Sequence, residues 1–157
     1  MIANPDAAKE RIAVINVAEK NSAYPTEAAK VRRINIMQDG TLLAVTTTGL
    51  AVSENIYKEG AVGGKWIYHT REANRNASLT TSATTDIVFM NNGMAAVSTE
   101  SGGIGLINNE ELRNDKLELQ HVTTANGLIS DIVQTLYAID DNQLLLQQND
   151  HLTIMDV

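Results

Sequence analysis

Cysteine is absent from these 157 residues, which excludes disulfides, thiolate catalysis and cysteine-based zinc sites. The compartment stays open, since many exported bacterial proteins also lack cysteine. Aromatic residues make up only 4% of the chain, so few rings are on hand to stack against a ligand. No apolar run approaches the roughly 20 residues that span a bilayer, and direct membrane insertion is not expected. The N-terminal stretch MIANPDAAKERIA places charges where a signal peptide needs its apolar segment, so the chain reads either as cytoplasmic or as an excised piece of a longer protein. Basic residues are also scarce. Twelve Lys and Arg stand against nineteen Asp and Glu, a formal charge of −7 that repels a phosphate backbone. The basic residues are scattered, with Arg32-Arg33 the densest pair, and nucleic acid is not an expected partner.

What the chain does contain is a repeat. With 43% hydrophobic and 20% charged residues it has an ordinary globular composition and enough length to bury a substantial core. Aligning Gly40, Gly93 and Asn142 as the second residue of a two-residue turn places Asp39, Asn92 and Asp141 before them, all types that tolerate positive φ. Apolar residues alternate before each turn: Ile34 and Ile36, Ile87 and Phe89, Leu136 and Ala138. A denser run follows each, Leu42 to Val45, Met94 to Val97 and Leu144 to Leu146, as suits a strand covered on both faces. The pairs Gly49-Leu50, Gly105-Leu106 (after a three-residue insertion) and His151-Leu152 open a third strand. KWIYHT at 65–70 and LELQHV at 117–122 supply a fourth. The turns lie 53 and 49 residues apart, room for four short strands each. The partial copy RIAVINV at 11–17 suggests that the chain begins inside a repeat.

Repeated sets of four antiparallel strands predict an all-β protein, about three four-stranded blades of a β-propeller and a fragment of a larger ring. A β-sandwich, which would not need internal copying, and a solenoid are the competing architectures. The expected division is 1–29, the end of a preceding blade and a linker; 30–82, a first repeat; 83–128, a second; and 129–157, a partial third. An unclosed set of blades exposes apolar faces or strand edges. The remaining blades of a parent protein, or self-association through those ends, are therefore expected partners.

The run NGLISDIVQTLYAIDDNQLLLQQNDHL at 126–152 resembles the two-component regulator propeller repeat. It matches through Asn126, Gly127, Leu128, Ser130 and Val133 at its start, and through Asp141, Asn142 and Leu144 around its turn. The stretch at 31–50 matches through Val31, Ile34, Gly40, Leu42, Thr46, Gly49 and Leu50. The family's tryptophan is replaced by Leu43, Ala96 and Leu145, and its following glycine by Val45 or Gln147. The resemblance implies part of the periplasmic or extracytoplasmic sensor region of a hybrid two-component histidine kinase, whose tandem propellers detect a ligand, often a glycan fragment. Without the resemblance, a cytoplasmic interaction scaffold with no small ligand serves the fold equally well.

No catalytic constellation is legible, and neither an enzyme nor a cofactor is expected. His69 and His121 occupy similar places in two repeats, but with His151 they show no metal-ligand spacing. Asp140-Asp141 suits the turn better than a cation, and Glu110-Glu111 begins a short helical segment, NNEELRNDK. Ser101 to Gly105 looks like a phosphate cradle but lacks the Lys-Ser/Thr and the following helix, so a bend between strands is expected. The one ligand-binding set the sequence offers is Trp66 and Tyr68, which alternate about Ile67 and so share a face, with Arg71 two residues beyond His69. Packing of the two rings in an outer strand is the competing role. The loops around Asn74 to Asn76 and Ser101 to Gly103 are weaker candidates.

Overall fold

The computed structural model describes residues 30–55, 66–81 and 83–157; the segment RIAVINV lies outside them. Among the described residues the β-branched and aliphatic runs form eleven strands in three antiparallel sheets. The first sheet takes β1 (Val31–Ile36), β2 (Thr41–Thr46), β3 (Gly49–Asn55) and β4 (Trp66–His69) in chain order. The second repeats this with β5 (Thr84–Phe89), β6 (Met94–Thr99), β7 (Ile104–Asn108) and β8 (Gln120–Val122). The third has β9 (Thr135–Ala138), β10 (Gln143–Gln148) and β11 (His151–Asp156). The only helical turns among the described residues are 3-10 segments at Asn109–Arg113 and Thr124–Asn126. None of the described helices is long and apolar enough to cross a membrane.

The three expected turns each join the first two strands of a sheet, but their chemistry differs from a two-residue hairpin. Met37 N–H donates to Thr41 O at 2.8 Å and Gly40 N–H to Met37 O at 2.9 Å, so the loop has three residues and Gly40 closes it at φ 86°. Met90, Met94 and Gly93, with φ 85°, repeat that pattern. This is the turn-plus-bulge hairpin whose last residue needs positive φ, the reason for glycine there. The side chains of Asp39 and Asn92 accept from the backbone two residues on, at Thr41 and Met94. In the third turn the cap moves one residue earlier, Asp140 accepting from Asn142 N–H at 2.8 Å, and Asn142 does not adopt positive φ.

Strand register also corrects the alignment of the third strands. Val45 faces Leu50, Ser98 faces Ile104 and Gln147 faces Leu152, so Ile104 and not Leu106 is the counterpart of Leu50. The insertion is therefore one residue long, and Gly103 matches Gly49. Both glycines have positive φ, and a Cβ on either would collide with the backbone carbonyl of the fourth strand, at His69 for Gly49 and at Val122 for Gly103. Among the described residues the third sheet has no fourth strand at that edge, and His151 stands where the other two need glycine.

The sheets stack face to face in one sense. Leu43, Val45, Leu50 and Val52 of the first meet Ile87, Ala95, Val97 and Ile107 of the second. Ala96, Ile104 and Leu106 on the other face of the second meet Leu136, Leu144 and Leu146 of the third. Burying each such aliphatic side chain stabilises the fold by about 1.5–3 kcal/mol. Of the three equivalent residues expected to be buried, Leu43 and Ala96 are, but Leu145 is only half-buried. Its face of the third sheet has no following sheet among the described residues to cover it.

Two predictions come from this packing. Ala96→Leu inserts three heavy atoms between two closely stacked sheets and is expected to cost about 1–3 kcal/mol by denaturant titration; an unchanged midpoint would contradict the stacking. Gly103→Ala should cost on the order of 2 kcal/mol from positive φ and the blocked carbonyl, whereas His151→Ala should leave the midpoint nearly unchanged.

Candidate functional site

The first strands of the sheets run beside one another, and polar groups tie them together. Asn35 Nδ2 donates to Ile87 O at 3.1 Å. Asp86, 4% exposed, accepts from its neighbour Ile87 N–H and from Leu136 N–H of the third sheet, each at 3.0 Å, while Arg33 Nε of the first sheet lies 3.2 Å from it. Thr85 Oγ1 donates to Val133 O at 2.5 Å.

At one end of this inner edge the three repeats open a cleft of about 470 Å³ lined by Arg32, Arg33, Thr85, Glu100, Ile132 and Gln134. Strand pairing explains the convergence. Arg33, Asp86 and Thr135 each sit opposite the residue five positions past the turn, so Arg32, Thr85 and Gln134 occupy one level on three successive repeats. Arg32 bonds Thr84 O through Nη1 at 3.1 Å and forms a close ion pair with Glu100. Both side chains remain accessible, as does Ile132. The two guanidiniums are balanced by Glu100 and Asp86, so the cleft offers donors and acceptors with little net charge. The exposed Arg32–Glu100 pair is worth only about 0–1 kcal/mol, so a ligand's hydroxyls can share or replace it at small cost.

A second hollow of about 480 Å³ lies at the opposite end of the strands, between the turns of the first two sheets and next to Arg113. There the Arg113 guanidinium contacts the Asp39 carboxylate and donates to Thr41 Oγ1 at 2.9 Å. Burial works to raise the Asp39 carboxyl, but hydrogen bonds from Thr41 and the charge of Arg113 outweigh it and hold the group below its ordinary range.

The residues singled out from sequence lie elsewhere. Trp66 and Tyr68 do share a face, the one turned away from the second sheet, but Trp66 is 9% exposed and packed with Leu42, Ala44 and Ala51, with Tyr68 against that cluster. Arg71 is exposed beyond the end of β4. Arg75, between Asn74 and Asn76, contacts Leu117 O and pairs with Glu72 at 2.5 Å and Glu118 at 2.9 Å. Ser101 to Gly103 form the expected bend between β6 and β7, where Gly102 N–H donates to Thr99 Oγ1 and Gly103 N–H to Asp131 O, so those amides already have protein acceptors. His69 and His121 are not equivalent: His69 pairs with Leu50 and His121 with Gly105, one register step apart, so the counterpart of His69 is Val122. Among the described residues no three His, Asp or Glu side chains gather as a metal site. The cleft residues were missed because their relation is visible only in strand register; the available signal was the change from Arg to Thr to Gln at one level of the repeat.

No family model matches the chain, and no curated protein matches it. Among solved structures it is similar to the extracellular domain assigned to a hybrid two component system from B. thetaiotaomicron, with a TM-score of 0.68 and 16% identity over 88% of this chain. At that identity the likeness shows the fold. The match spans 19% of the other chain, about a fifth of its length.

His69 supplies a pH prediction. It is buried, its Nε2 donates to Leu112 O at 2.9 Å, and burial pushes its pKa below the ordinary 6.5 against the opposing effects of that hydrogen bond and of Glu72. The fold thus takes up fewer protons here than the unfolded chain, so this contribution is complete above 6.5 and declines as pH falls through that value. Denaturant midpoints should drop between about pH 7.5 and 5.5. His69→Gln, which keeps a donor for Leu112 O, should flatten that drop; an identical slope in the variant would remove His69 as its source.

Proposed function

We propose that the chain is a segment of an extracytoplasmic β-propeller that senses a ligand for a two-component system, and that the ligand is a hydroxyl-rich glycan fragment seated between Arg32, Glu100 and Gln134. The cleft carries this reading. Its volume falls within the roughly 300–1,000 Å³ of small-molecule sites, and all three repeats contribute to it. A guanidinium beside a carboxylate presents donors and acceptors to neighbouring hydroxyls, Thr85 and Gln134 extend that set, and Ile132 offers an apolar patch to a sugar's C–H face. Near-balance of charge favours a neutral ligand over a polyanion. The fold shared with an extracellular domain of a hybrid two component system supports the sensing role and the compartment. The chain's part is binding, with no bond broken. The second reading, an interaction scaffold without a small ligand, is favoured by the exposed apolar residues of the third sheet.

Thermal unfolding in the presence of neutral and acidic oligosaccharides tests the proposal. A ligand at 100 times its Kd stabilises the folded state by about 2.7 kcal/mol, which raises Tm by several degrees in a domain of this size. Neutral oligosaccharides are expected to do so, and Glu100→Gln or Gln134→Ala should weaken binding at least tenfold while leaving the unliganded Tm within about a degree. Absence of any shift at millimolar sugar would leave the scaffold reading in its place.

A further inference from the structure

The two arginines of the cleft are neighbours in sequence, yet both line it. Along a regular strand adjacent side chains point to opposite faces. Here the pairing of β1 with β2 skips Arg32, with Val31 opposite Thr46 and Arg33 opposite Val45, and the pairing of β5 with β6 skips Thr85 in the same way. Each is a β-bulge, a device that re-aims a side chain.

The bulge gives the two guanidiniums different surroundings. Arg32 is engaged by the protein, bonded to Thr84 O and paired with Glu100. Arg33 is held at one edge only: its Nε lies 3.2 Å from the buried Asp86 carboxylate, and neither of its Nη groups makes a hydrogen bond within the described residues. By contrast, Nη groups of Arg75 and Arg113 bond protein oxygens. The Arg33 side chain is 49% exposed, while Asp86 is fixed by amides of the second and third sheets. A guanidinium anchored at Nε, with both Nη groups open to a cleft, is a donor pair already in place.

Parallel N–H groups of a guanidinium match two acceptors side by side, either a carboxylate or a pair of adjacent hydroxyls. The carboxylate fits poorly here, because Asp86 already answers the charge of Arg33 and an anion would meet Glu100 in the same hollow. Hydroxyls differ in that each can accept from Arg33 and donate in turn to Glu100 or to the Gln134 side-chain carbonyl. We infer that Arg33 determines specificity in the cleft: its Nη edge bonds two adjacent hydroxyls of one sugar ring, so the glycans recognised are those with an unsubstituted vicinal diol on that ring. This deepens the sensing proposal and rests on it.

Titration calorimetry on the full chain tests it, with the neutral disaccharides maltose, cellobiose and lactose as probes, each also in the forms that lack one ring hydroxyl. Arg33→Lys keeps a charge beside Asp86 and loses the fork, and since the side chain is half-exposed the unliganded Tm should stay within about a degree. For a sugar that binds, this substitution should weaken Kd about tenfold or more, and removing either hydroxyl of one adjacent pair should weaken binding to the unsubstituted protein by a similar factor. The two changes together should cost little more than either alone, a coupling that a merely structural role of Arg33 would not produce. Equal affinity in Arg33→Lys and the unsubstituted chain overturns the inference and leaves the sensing proposal standing. So does a loss of the same size for the parent sugar and all its deoxy forms. A chain that binds none of the probes removes both.

Discussion

Asp86 is an acidic side chain with 4% of its surface in water, and groups from all three sheets surround it. A buried carboxylate is costly unless its oxygens are satisfied. Here one oxygen meets the guanidinium of Arg33 and the amide of Ile87, and the other takes the amide of Leu136. The Leu136 amide belongs to the first strand of the third sheet, on the edge that does not pair within its own sheet. Satisfying Asp86 therefore fixes the spacing and tilt of three successive strands together. The apolar stacking on either side is non-directional; the carboxylate gives it a register.

That fixed inner edge explains why small residues recur where they do. Sheets held close along the first strands leave little room at their centres, and Ala95, Ala96 and Gly105 sit there, the last against the side chain of Leu119. Glycine at 49 and 103 answers a different demand, the approach of a fourth strand to positive-φ backbone. Sequence likeness between repeats is consequently strongest at turns and close approaches. It is weakest on the faces, where aliphatic residues of different sizes fill complementary space.

This pattern governs how far the chain was legible. Period-two alternation and the Asp39-Gly40 and Asn92-Gly93 dipeptides marked the strands and turns because those signals are local. Register was not local. Gly105-Leu106 looked like the partner of Gly49-Leu50, yet the positive φ that defines the position belongs to Gly103, and the letters alone did not distinguish the two glycines. The likeness of His69 and His121 breaks down in the same way, since His69 pairs with Leu50 and His121 with Gly105. Position in the repeat predicts a buried Leu145, but burial depends on what the neighbouring sheet covers. The aromatic pair was found correctly on one face, whereas its packing with Leu42, Ala44 and Ala51 emerges only when β4 is placed beside β3.

The cleft follows the same division between what a repeat must keep and what it is free to change. Turn glycines and central aliphatics answer to backbone geometry and packing, so the first two copies keep glycine at the turn and before the third strand, and all three keep aliphatic residues at the centre. The first strands at the cleft end carry a looser demand, for a side chain that can hydrogen-bond to the neighbouring sheet, as Asp86 and Thr85 do, rather than for one residue type. There the copies diverge, Arg32 to Thr85 to Gln134 and Arg33 to Asp86 to Thr135, all with hydrogen-bonding side chains. Stacking brings these unlike residues to one level within a single hollow. A framework built from similar units thereby produces an asymmetric set of donors and acceptors, which recognition of one orientation of a ligand requires and strict repetition would not supply.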